Sequence, residues 1–222
     1  MRSRAGRLHA SHSFGIVLLL VCTLFAFAAI APDGGWATGI LVLVATAALV
    51  VAAWTSGLAE PGSRATQIAL IAGAVAAVAS FASTRHATVG AVGLLSGVMA
   101  VLTIGVIALG VLDQGEVNSK SVLGAISVYI LLGIAFLFVY GAVAALGSGP
   151  FFVQGTDGTR ALRLYFSYVT LATLGYGDYT PAGNLGHLLA VIEALVGQLY
   201  LVIVLTIMLT RLGQSHSRKA RT

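Results

Sequence analysis

Apolar positions along the chain gather into long runs separated by short polar or Gly/Pro breaks. The runs predict spans near Phe14–Ala31, Trp36–Ser56, Ala65–Ser83, Val89–Leu112, Val122–Leu146 and His187–Leu212. Each is close to the roughly 20 residues that a helix needs to cross a hydrocarbon core about 30 Å thick. The breaks carry turn chemistry, as in Pro32-Asp33-Gly34-Gly35, Glu60-Pro61-Gly62-Ser63 and Asp113-Gln114-Gly115-Glu116. One connector, Gly147 to Gly186, is far longer than the others.

Composition narrows the class. Of 222 residues, 58% are apolar and 9% charged, whereas a soluble domain carries about 25% charged residues. A water-soluble globule is excluded. Six spans need about 120 residues, which leaves little for an extramembrane domain. The 27 glycines suit close helix packing in lipid. Gly93-x-x-x-Gly97 is read as a plain helix contact of this kind. The lone Cys22 lies in the first run, so no intrachain disulfide forms.

The net charge of +5 would suggest nucleic acid if the basic residues formed a stripe, but they sit between the apolar runs. With the N-terminus inside, Arg2, Arg4, Arg7, Arg64, Lys120, Arg211, Arg218, Lys219 and Arg221 fall on one side. Only Arg85, Arg160 and Arg163 fall on the other. The excess of basic residues places both termini in the cytoplasm and the long connector outside. The first run also resembles a cleavable signal peptide, but its apolar stretch is long for one. A retained span is expected, and the placement of the long connector is the same either way.

Within that connector, Arg160–Ala172 reads as a helix with an aromatic and apolar face, after the capping oxygens of Thr156-Asp157-Gly158-Thr159. At about 1.5 Å per residue it reaches only about 20 Å, too short to cross. Thr173-Leu174-Gly175-Tyr176-Gly177-Asp178, if extended, travels back about the same distance. Non-helical backbone at that depth is tolerated only where protein buries it or where it lines a water-filled path. A pore is the natural context.

Thr170-Leu171-Ala172-Thr173-Leu174-Gly175-Tyr176-Gly177-Asp178 resembles the T-x-x-T-x-G-Y-G-D signature of potassium channels. The likeness extends from about Ser121 to Arg211 and leaves the first 110 residues uncovered. It implies an all-α integral membrane protein with six transmembrane helices, and a re-entrant pore helix and selectivity filter between the fifth and sixth. Residues 1–120 would form a four-helix region of unstated role, 121–212 the pore module, and 213–222 a short basic tail on lipid or in solution.

In such a filter, rings of backbone carbonyls replace the water shell of the ion. The resemblance therefore implies that potassium is held through Thr173, Leu174, Gly175 and Tyr176. Gly175 and Gly177 would supply the positive φ angles that turn successive carbonyls to one axis. Asp178 would ring the outer mouth. Tyr165, Phe166 and Thr170 would support the filter from the pore helix, with Tyr165 and Phe166 in an aromatic cuff around Tyr176. The C-terminal end of the pore helix would favour a cation.

Three positions depart from common family patterns. Leu174 stands where Val or Ile is usual, so selectivity among cations stays open. Val169 replaces a carboxylate, and Phe166 a Trp, that other members use to hold the filter Asp; Asp178 is therefore expected to lack a familiar partner. Gly197, nineteen residues after Asp178, occupies the place of an inner-helix hinge glycine, with close packing the equal alternative. Gln198, Leu201 and Leu205 would fall on the cavity face.

Glu193 is the one ionisable residue well inside a span. A charge there costs about 2.5–3.5 kcal/mol on insertion scales, so it is expected to be protonated, paired or turned toward protein or water. A hydrogen bond bracing the inner helix is favoured over ion handling. His187, near the outer end of that helix, is read first as an interfacial packing residue and second as a pH-tuning group. The fourth span, Val89–Leu112, contains no Lys or Arg, so the moving charges of a voltage sensor are absent.

The expected activity is passive, potassium-selective conduction through a homotetramer in the plasma membrane. No enzyme chemistry, no cofactor and no nucleic-acid partner is expected; membrane lipid and further copies of the chain are. The rivals are a weakly selective cation channel, and a sensor or transporter that uses a non-conducting pore module as scaffold. Nothing in the sequence names a regulatory partner or a gating stimulus.

Overall fold

The computed structural model describes residues 13–60, 62–82, 86–112 and 119–219. Among them run seven helices: α1 Ser13–Ile30, α2 Gly35–Thr55, α3 Arg64–Ala82, α4 His86–Leu112, α5 Ser119–Leu146, α6 Arg160–Leu171 and α7 Asn184–Lys219. Pro61, Arg85, Asp113–Glu116 and the chain ends with Arg2, Arg4, Arg7 and Arg221 lie outside the described residues. So does the side chain of Leu205. No strand forms among the described residues, and Phe152 makes isolated bridges to Thr156 and Pro181.

The apolar runs became helices because only a helix satisfies every backbone group within its own segment. Five are long and apolar enough to cross a membrane: Gly35–Thr55, Arg64–Phe81, Ala91–Val111, Ser121–Leu146 and Asn184–Val204. The sixth expected span is a shorter apolar helix, Phe14–Ile30. The last helix continues past the expected end at Leu212 to Lys219, into the stretch read as a tail.

The core sits between α1, α2, α4 and α5, where Val17, Val21, Leu24, Leu41, Ile107 and Leu131 are fully or almost fully buried. A second cluster, Val42, Ala76, Ala77 and Val92, joins α2 and α3 to α4. Small residues set these distances. Gly93 and Gly97 lie against Phe138 of α5, the plain helix contact expected of them. Gly35 lies so close to α3 that a Cβ there would stand 2.1 Å from the Ser80 carbonyl oxygen.

The last helix differs from the rest. Of its residues Asn184–Val204, only Gly186, Glu193 and Gly197 are buried. It touches only α6 and α5 to any extent. Leu188, Val191, Leu195, Leu199 and Val202 project from it without cover.

Gly35→Ala is expected to lower thermal stability in detergent by about 1–3 kcal/mol, the usual cost of overpacking. Gly15→Ala, which meets nothing within 4 Å, should be neutral or slightly stabilising because Ala is the better helix former. Equal unfolding midpoints for the two variants would show that α2 and α3 separate freely.

Candidate functional site

The short helix α6, 12 residues long, spans about 18 Å. It starts at Thr159, whose Oγ1 accepts from the Leu162 backbone N–H at 3.1 Å. It ends abruptly, with the Thr173 N–H bonded to Thr170 O at 2.9 Å, and the N–H groups of Leu174 and Gly175 both directed to Val169 O at 2.9 and 3.3 Å.

Beyond that knot the backbone has φ of 57° at Thr173, 57° at Gly175 and 77° at Gly177. Every second residue therefore takes the left-handed region, and this alternation turns successive carbonyls the same way. Glycine accepts such angles without strain. Thr173 is β-branched, and a non-glycine residue held there costs about 1–3 kcal/mol. Among the described residues, no carbonyl of Thr173, Leu174, Gly175, Tyr176 or Gly177 accepts a hydrogen bond. Residues 172–178 are all exposed, Leu174 at 58% and Tyr176 at 66%.

The outer end is tied to its surroundings. The Val153 N–H donates to Thr180 O at 2.9 Å and the Ala182 N–H to Phe151 O at 2.7 Å. Gln154 Nε2 donates to Asp178 O at 2.7 Å. Asp178, expected to lack the familiar partners, is held by another: Tyr165 OH donates to its Oδ2 at 2.7 Å, while its Oδ1 accepts from the Tyr179 N–H at 3.0 Å. The bond to Asp178 pushes Tyr165 up to about 12, so the phenol keeps its proton as a donor at any physiological pH.

Phe166 points elsewhere. Its ring packs against Tyr140 at 5.1 Å, Phe152 at 5.4 Å and Phe151 at 6.3 Å, in a cluster beneath the outer loop. Among the described residues no ring contact joins Tyr176 to Tyr165 or Phe166. The expected cuff therefore does not form within one chain. Tyr165 and Phe166 are neighbours in sequence on a helix, so they necessarily face different ways. Thr170 contributes its backbone carbonyl to the end of α6.

Behind α6, three helices meet on one carboxyl. Glu193 of α7 is fully buried. Tyr140 OH of α5 lies 2.5 Å from its Oε2, and Ser167 Oγ of α6 lies 2.5 Å from its Oε1. Ser167 Oγ also lies 2.8 Å from Gly133 O of α5. A serine hydroxyl has one proton, and a carbonyl can only accept. All groups are satisfied when Ser167 donates to Gly133, Tyr140 donates to Oε2, and Oε1 carries a proton donated to Ser167. The geometry is that of a brace.

Four residues on, Gly197 is the point of closest approach between α7 and the end of α6. A Cβ there would stand 2.4 Å from the Leu171 carbonyl oxygen. The helix runs unbroken through this position, and the glycine permits the close approach to α6. Gln198 and Leu201 are exposed in the single chain. His187 is exposed as well.

Sequence reasoning missed one contact altogether. Asp33, between α1 and α2, accepts from the Arg160 backbone N–H at the start of α6 through Oδ1 at 3.0 Å and Oδ2 at 3.2 Å. The Arg160 guanidinium adds a 4.0 Å ion pair to Asp33. Burial pushes Arg160 down from its ordinary value, and Asp33 works in the opposite direction. The signal was an acid in a Pro-Asp-Gly-Gly turn, which reads as turn chemistry and nothing more.

Residues 142–214 match the ion channel family. Over 70 residues, 32% of this chain, the sequence is 34% identical to the inward rectifier potassium channel Kirbac3.1 of Paramagnetospirillum magnetotacticum. The match covers 24% of that protein, so the chain spans about a quarter of its curated relative. No solved structure matches the chain. With several long apolar helices, the family match makes this a multi-pass membrane protein and points to a channel rather than an enzyme.

Glu193→Gln is expected to keep thermal stability in detergent within about 1 kcal/mol, because an amide accepts from Tyr140 and donates to Ser167 as the protonated acid does. Glu193→Ala should cost about 1–3 kcal/mol for each buried polar group it orphans. Equal losses for the two variants would show that the brace needs a charged carboxylate.

Proposed function

We propose that this chain, whose residues 142–214 match the ion channel family, assembles as a homotetramer that conducts potassium passively across a membrane. The observation that carries this reading is the strand from Thr173 to Asp178. Its positive φ angles alternate, its carbonyls from Thr173 to Gly177 accept nothing among the described residues, and it lies exposed at the end of a helix too short to cross. Carbonyls so arranged replace the water shell of a cation when rings of them surround an axis. One chain supplies one strand of such a ring.

The uncovered face of α7 supports assembly for an independent reason. A helix with so few partners in its own chain has its packing surface free for other copies. An apolar groove of about 470 Å³ beside the filter strand, lined by Phe25, Tyr129, Leu164, Val169 and Leu174, is open to the same approach. In this reading α6 and the filter strand enter the membrane and return as a re-entrant segment between α5 and α7. The basic residues hold both termini in the cytoplasm. The C-terminal end of α6 lowers the energy of a cation in the cavity, and Asp178 concentrates cations at the outer mouth. With no Lys or Arg in α4, gating does not come from charge moving in that helix.

Purified protein in liposomes is expected to carry potassium flux that barium blocks, with reversal potentials in mixed potassium and sodium close to the potassium value. Equal permeabilities would make it a weakly selective cation channel through Leu174, and a tight tetramer without flux would make it a scaffold. Tyr165→Phe, which removes the donor to Asp178, should speed the decay of current under sustained driving and leave the initial amplitude close to wild type. Unchanged decay would show that this bond does not brace the outer mouth.

A further inference from the structure

We propose that the leading helices α1–α4 control the conducting geometry of the filter, by means of a clamp that Asp33 places on the N-terminus of α6. This rests on the reading of α6 and the filter strand as a pore. It assigns a task to the part of the chain that the family match does not reach.

The first turn of a helix has four N–H groups without intrahelical partners. In α6 the Thr159 hydroxyl takes the Leu162 N–H, and the Arg160 N–H is taken by Asp33, 127 residues earlier in the chain. The residue at that position makes the remote acid necessary. Arg160 is a cation at the positive end of a helix dipole, which is the unfavourable end, and it is only 7% exposed. Its other acceptors come from the same place as Asp33: Thr38 Oγ1 at 2.9 Å and Pro32 O at 3.5 Å. The Arg160–Asp33 pair is the one ion pair among the described residues. Arg163, one turn on, also feels the charge of Asp33.

The clamp sits at one end of a rigid rod, and the filter begins at the other. The N–H groups of Leu174 and Gly175 hang on Val169 O of α6, so a shift of α6 moves the filter strand directly. On the leading side, α2 packs against α1, α3 and α4, so a rearrangement of any of them reaches the α1–α2 connector. A second contact runs in parallel: Phe25 of α1 meets Tyr168 of α6 edge to face at 5.2 Å. When the connector moves, either α6 follows or Arg160 is left buried without its counter-charge. Those two arrangements, docked and undocked, are what the leading helices select between.

The test uses the full chain reconstituted in liposomes, with two readouts. Asp33→Ala is expected to raise hydrogen exchange at the amides of residues 160–163 about tenfold, the scale of a lost cap. It should also lower single-channel open probability about tenfold while unitary conductance stays at the wild-type value. Asp33→Asn keeps an acceptor and should fall between wild type and Ala in both readouts. If Asp33→Ala fails to fold, Asp33→Asn and Thr38→Val carry the same comparison. Faster exchange with unchanged open probability would overturn the control, leaving a purely structural cap. Unchanged exchange in Asp33→Ala would overturn the clamp itself, even where flux is normal. Absence of flux from the wild-type chain would overturn the pore reading and the control that rests on it, while the exchange readout still reports on the clamp.

Discussion

Five consecutive backbone carbonyls without a partner among the described residues set the terms for the rest of the molecule. Residues Thr173 to Gly177 cannot satisfy one another while their φ angles alternate, and every peptide carbonyl is a strong acceptor that needs a partner from somewhere. The surroundings hold the strand from both ends instead of zipping it. At one end the last turn of α6 gathers three N–H groups onto Thr170 O and Val169 O. At the other, Asp178 is held by Tyr165 and Gln154, and residues 151–153 are laced to 180–182. A strand anchored only at its ends keeps its carbonyls free, which is what coordination of a bare cation requires.

The position of α6 is fixed by polar contacts buried among apolar helices. Glu193, Ser167 and Tyr140 join α7, α6 and α5, Tyr168 OH reaches Ile130 O at 2.6 Å, and Tyr200 OH reaches Ala125 O at 2.6 Å. Apolar side chains give little preference among helix arrangements in lipid, because the lipid is as apolar as they are. Directional bonds choose one arrangement. Gly197 permits it by letting α7 approach the Leu171 carbonyl.

The helices were legible in the sequence because apolar length is a local property. All six expected spans appear as helices, five of them within a few residues of their expected ends and the last running on to Lys219, although the first is shorter than the others. The strand from residue 173 to 178 was legible because its glycines stand at a fixed spacing and each has a backbone reason to be there. Partnerships across distance were not. Tyr165 as the holder of Asp178 depends on which side of α6 it occupies, and the sequence marked only that Val169 and Phe166 lack the groups that hold this Asp in the family the motif resembles. Among the described residues, no ring contact surrounds Tyr176 within one chain. Glu193 could be flagged as buried and in need of partners, but Ser167 and Tyr140 lie 26 and 53 residues away. Asp33 and Arg160, 127 residues apart, belong to stretches that share no periodicity or motif.

The lengths of the helices divide the chain in another way. At 1.5 Å per residue, α1, α2 and α3, with 18, 21 and 19 residues, come to about 27–32 Å, which is the thickness of the hydrocarbon core. The helices α4, α5 and α7, with 27, 28 and 36 residues, come to about 40–54 Å. The first group fits upright and the second must lean or protrude. A leaning helix converts bilayer thickness into angle. The chain thus divides by length into three early helices that match the hydrocarbon core and three later ones that exceed it.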